Sequence, residues 1–126
     1  MELFNNVAVT ALSKNLDGLW AREKVISENI ANLETPGYKR KYVSFEEELL
    51  SKIQDRTLTG DQLSSAIDSV GINENVDNAG TLREDGNNVD IEVENIEMAR
   101  TQINYSYSVK NLDDYFSRLR SVINGG

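Results

Sequence analysis

The side chains in this 126-residue chain that could carry acid–base or metal chemistry are chiefly carboxylates, because it contains no histidine and no cysteine. That removes a Ser-His-Asp triad, a thiolate nucleophile, a Cys/His zinc site and any disulfide. Carboxylate pairs, Ser/Lys, Tyr or an oxygen-ligated cation such as calcium remain. Glu46-Glu47-Glu48 is the densest acidic run, and Glu46, Glu48 and Asp90 are the acids a hydrolase would have to use. Consecutive residues fan around a helix, so these carboxylates do not converge, and acids in a first turn suit the helix dipole. Asp85-Gly86-Asn87-Asn88-Val89-Asp90 has the composition of a calcium loop but lacks its alternate ligands and closing Glu. A turn followed by a helix cap accounts for it. The expectation is a non-enzymatic protein with no catalytic residue, cofactor or metal.

Charge points the same way. Thirteen basic against 21 acidic residues give a net charge of −8, which disfavours nucleic acid or an anionic membrane as partner. Residues 1–42 carry six basic and five acidic side chains, 43–95 three and 13, and 96–126 four and three. The acidity therefore sits in a middle rich in Ser, Asn, Asp and Gly, between two nearly neutral, apolar-patterned ends. No stretch is long and apolar enough to span a membrane, and the start lacks the basic region of a cleaved signal peptide. One domain is expected at this length.

The two ends must position whatever the chain does. Val9, Leu12, Leu16, Leu19, Ile26, Ile30 and Leu33 recur at spacings of three and four, predicting a helix over 1–34 with a heptad seam. Asp17-Gly18 falls inside it, but one mid-helix glycine costs only ~1 kcal/mol. Tyr105, Val109, Leu112, Phe116, Leu119 and Ile123 form a matching seam in a helix over 87–126, with Asn88 or Asp90 as cap. Both helices carry apolar or small residues off the seam: Phe4, Ala8, Ala11, Gly18 and Val25 in the first, and Val89, Val93, Ile96, Ala99, Ile103 and Tyr107 in the second. Two helices cannot bury all of these against each other, so the surplus is expected to meet the middle segment or other chains. Within 35–86, Phe45, Leu49 and Ile53 behind Ser44 predict a short N-capped amphipathic helix. Residues 57–86 read as irregular and partly extended.

Between the first helix and the middle lies Asn29-Ile30-Ala31-Asn32-Leu33-Glu34-Thr35-Pro36-Gly37-Tyr38. Pro36, the chain's only proline, removes a donor and drives Thr35 out of the α region, so the helix must stop by about Glu34. Pro-Gly suits the centre of a type II turn between Thr35 and Tyr38. Asn29 and Asn32, one turn apart, are expected to bond carbonyls freed by the stopped helix.

The string at Ala31, Asn32, Thr35, Pro36, Gly37 and Tyr38 resembles the signature near the N-terminus of bacterial flagellar rod and hook axial proteins. Asp85, Gly86, Asn87, Val89, Asp90, Gln102 and Tyr105 are similar to the second signature of the proximal rod proteins in that family, whose length this chain shares. The resemblance implies a mainly α subunit, its long terminal helices paired as an antiparallel coiled coil. It implies export by the flagellar type III apparatus and polymerisation into the periplasmic rod, the motility drive shaft. Partners would be other rod proteins, the adaptor FliE, the membrane-embedded ring and the export gate. Glu34 and the basic Lys39-Arg40-Lys41 depart from the family pattern. Without the signatures, the same stripes would fit a soluble helical adaptor or chaperone-like binding module.

Overall fold

A computed structural model describes residues 2–125, with side chains described from residue 7 onward; Phe4, one of the off-seam positions, lies outside the described side chains. Helix α1 runs Glu2–Ala31, strand β1 Lys41–Ser44, helix α2 Glu46–Ile53, helix α3 Gly60–Asp68, strand β2 Asn73–Val76 and helix α4 Ile91–Ile123. The described chain is mainly helical, with one two-stranded antiparallel sheet pairing Lys41 with Val76 and Ser44 with Asn73. At 1.5 Å per residue the 30-residue α1 is about 45 Å long.

Helix α1 runs unbroken through Asp17-Gly18, and its central glycine has a packing reason. A Cβ on Gly18 would lie 2.3 Å from the Phe45 ring, so only a residue without a side chain lets Phe45 seat against the helix. Leu19, Val25, Val43, Phe45, Leu49, Ile67 and Val70 form the core. The middle segment thus folds back over one face of α1, and α4 lies along another. Arg22 clamps the fold-back: its guanidinium grips both Glu46 oxygens at 2.6 and 2.5 Å, donates to the Val43 carbonyl and lies over the Phe45 ring.

Three points differ from expectation. Residues 57–86 hold a helix, α3, that was not expected, beside the extended strand β2; the rest of the stretch is irregular. Leu63, Ile67 and Val70 supply that segment's apolar face, and α3 packs on α1. Ser44 does not cap α2; Phe45 holds the cap position without a side-chain bond, and the Ser44 hydroxyl accepts from Asn75 across the sheet. The terminal helices begin and end short of the expected bounds: α1 stops at Ala31 and continues as a turn through Glu34, and α4 starts at Ile91. Pro36 acts from five residues away, because the turns needed to reach it consume Asn32 to Thr35.

Candidate functional site: the junction at the foot of the helices

The two sequence signatures, some fifty residues apart, meet in one hydrogen-bonded knot. At its centre is Asn87, fully buried. Its amide nitrogen donates to the carbonyls of Asn32 at 2.8 Å, Leu33 at 3.1 Å and Thr35 at 2.9 Å. These carbonyls belong to the turn that follows α1, past its last residue Ala31. The second signature bonds them, while Asn32 bonds a carbonyl of α1's last turn. The Asn87 oxygen accepts from the Val89 amide, and Asp85 accepts from the Asn87 amide.

Backbone contacts complete the joint. Tyr38 N donates to Thr35 O at 3.2 Å, closing the Pro36-Gly37 turn, and Gly37 has φ +74° as a type II turn demands. Gly37 N donates to Asp85 O at 2.8 Å, and Asn88 N to Tyr38 O at 3.3 Å. Gly86, with φ +81°, faces the turn closely: a Cβ there would sit 3.8 Å from the Gly37 Cα. Asp90 then caps α4, accepting from Glu92 N at 3.0 Å.

Asn29, also fully buried, acts as a substitute strand. Its amide nitrogen donates to Lys41 O at 2.7 Å while its oxygen accepts from Lys41 N at 3.0 Å, the two-way pairing a neighbouring strand would give. The same oxygen accepts from the Tyr38 hydroxyl, and burial raises that hydroxyl's pKa above the ordinary 10.0. Asn32, just past α1, donates to Glu28 O in the last turn of that helix and accepts from the Thr35 hydroxyl. Ala31 and Gln102 are exposed. Lys39-Arg40-Lys41 meets acidic and carbonyl neighbours: Lys39 donates to Gly86 O, Arg40 pairs with Glu94 and Asp77, and Lys41 lies 3.5 Å from Glu74.

Along the helices the structure places the two seams differently. On α1, Leu19 and Ile26 are buried, with Val9, Leu12, Leu16, Ile30 and Leu33 half-buried. On α4, Tyr105, Leu112 and Leu119 are half-buried, but Val109, Phe116 and Ile123 are 43, 38 and 73 % exposed. The buried α4 positions are Glu94, Thr101 and Ser108, a polar heptad row. Ser108 accepts from Asn15 at 2.8 Å, and Asn29 donates to Glu94 at 3.1 Å. Sequence reasoning missed this row because hydrophobic periodicity counts only apolar residues. The spacing of seven between 94, 101 and 108 was the available signal.

The acidic run has no converging geometry. Glu46 is held by Arg22, whose hydrogen bonds keep its carboxyl below the usual range against the opposing effect of burial. Glu47 and Glu48 are exposed beside an open groove of about 650 Å³. Among the described residues no group of three His, Cys, Asp or Glu is placed to hold a metal, and no helix is long and apolar enough to cross a membrane. What the joint offers is geometry: it fixes how the chain leaves one long helix and enters the other.

A family model described as flagella basal body rod protein matches residues 6–39. A flagellar basal body rod protein FlgB of Bacillus subtilis (strain 168) is 34 % identical over 130 aligned positions, covering 100 % of this chain and 99 % of the relative. Borrelia hermsii FlgB is 34 % identical, covering 98 % of this chain and 99 % of the relative. FlgB of Borreliella burgdorferi is 34 % identical over 86 % of this chain and 89 % of the relative.

Proposed function

Because the chain belongs to the FlgB family of flagellar basal body rod proteins, and is a structural subunit of the basal body rather than an enzyme, we propose that it polymerises with other rod proteins into the base of the drive shaft. In this reading it is exported by the flagellar type III apparatus without a cleaved signal peptide and reaches the periplasmic rod. Its neighbours there are the adaptor FliE, the membrane-embedded ring and the export gate. Helices α1 and α4 form an antiparallel coiled coil. Supporting this, Asn29 bonds Glu94 while Asn15 bonds Ser108, so contacts advance along one helix as they recede along the other. In this division, segments 1–34 and 87–126 contribute α1 and α4 as the arms of a single domain, and 35–86 is the segment carried outward by the junction of Asn29 to Tyr38 with Asp85 to Asp90.

The observation that carries the reading is the apolar surface α4 leaves uncovered. Ile96, Ile103 and Tyr107 are 58, 70 and 65 % exposed, and Ala99, Ile103 and Tyr107 line an open groove of about 530 Å³. Val109, Phe116 and Ile123 add a second uncovered row. A monomer gains nothing by exposing so continuous a patch, whereas a subunit packed on several sides buries it. The test is complementation of a deletion strain with Ile103→Asp or Phe116→Asp. Both variants should fold like the parent and be secreted, yet yield basal bodies arrested at the rod's base. Normal rods from both variants would refute the reading, as would a stable complex with a soluble partner in cells lacking flagella.

A further inference from the structure

Glu94 is not one of the residues that carry either signature, yet it has no exposed surface. Its Oε1 accepts from Arg40 Nε at 2.5 Å and its Oε2 from Asn29 Nδ2 at 3.1 Å. Arg40 is itself a hub. Its backbone N donates to Asn88 Oδ1 at 2.6 Å, its backbone O accepts from Asp77 N at 2.7 Å, and its Nη1 lies 3.8 Å from Asp77 Oδ2. One carboxylate on α4 therefore ties together α1, the chain entering β1 and, through Arg40, the chain leaving β2.

The two-stranded ribbon is held unequally. Its Ser44–Asn73 end runs into the core through Phe45 and Val70, while at its Lys41–Val76 end no strand residue is buried, so apolar burial, which is non-directional, does not fix where that end sits. A buried ion pair supplies little net stability, because desolvation consumes most of its attraction, but its geometry is demanding. We propose that Arg40 and Glu94, completed by Asn29 and Asp77, are positioning residues that fix the Lys41–Val76 end of the β1–β2 ribbon against α1 and α4. Their contribution is orientation rather than stability. Arginine is required at position 40, because a lysine's point charge cannot reach Glu94 and Asp77 together.

The absence of native cysteine makes the test clean. Val76 and Gln102, both exposed, are replaced by cysteine in the full chain and spin-labelled, and the distance distribution is measured by pulsed electron paramagnetic resonance. The parent should give one narrow peak. Arg40→Met with Glu94→Leu should unfold within about 3 °C of the parent, since an apolar pair is a near-neutral replacement, yet broaden the distribution at least about two-fold. Arg40→Lys should broaden it as well. The proposal is overturned if the parent peak is already broad, if either variant keeps the narrow peak, or if the apolar pair abolishes cooperative unfolding. Because the readout uses the isolated chain, it stands or falls separately from rod assembly.

Discussion

Gly18→Ala is the substitution for which sequence and structure predict opposite signs. In an ordinary helix interior the change stabilises by about 1 kcal/mol, because alanine loses less backbone entropy. Here the added methyl would stand 2.3, 2.3 and 2.5 Å from three Phe45 ring carbons, and comfortable carbon contacts are about 3.5–4 Å. The ring must move by more than about 1 Å, and it is buried among Leu19, Val43 and Leu49 beneath the Arg22 guanidinium. We place the overpacking cost near the top of its usual range, about 3 kcal/mol. Subtracting the propensity gain leaves a net loss of about 2 kcal/mol, or roughly 6–10 °C in Tm for a domain of this size. Thermal unfolding of the full chain by circular dichroism reads it directly. Phe45→Leu in the same chain should recover part of the loss, with a coupling of about 1 kcal/mol or more in the double-mutant cycle. A Tm raised by Gly18→Ala, or strictly additive effects of the two substitutions, would refute the packing argument.

Asn87→Asp keeps the shape but replaces the donor to three carbonyls with a carboxylate; a loss of about 2–4 kcal/mol is expected in denaturant unfolding, and an unchanged midpoint contradicts the role given to Asn87. Gly37→Val forces a β-branched residue to φ +74° although space is open there, so rod assembly should suffer more than expression; motility and basal-body yield measure the difference, and normal rods count against the junction. The Glu46 carboxyl has a folded pKa below its ordinary 4.5, so the unfolded chain takes up that proton first. The stability contributed by the Arg22–Glu46 pair is present above about pH 4.5 and is lost as pH falls through the lowered folded value. Stability curves from pH 6 to 3 for the parent and Arg22→Met should converge at the acid end, and parallel curves would dismiss the pair.

What local pattern dictates, the sequence determined alone. Two long helices follow from apolar spacing, the stop from Pro36, the turn from Pro-Gly and the start of α4 from Asp90, since each is a nearest-neighbour constraint on the backbone. The lack of histidine and cysteine ruled out triad, thiolate and zinc chemistry just as directly. The tertiary structure decided which surface each pattern meets. Val109, Phe116 and Ile123 form as good a stripe as Tyr105, Leu112 and Leu119, but a stripe states only that it is apolar, and α1 pairs instead with the polar row of Glu94 and Ser108. Asn87 closing the end of α1, Asn29 standing in for a strand and Gly18 yielding to Phe45 are contacts across 12 to 55 positions. No propensity encodes them, because hydrogen-bond partners and steric fit exist only once folding has brought the segments together.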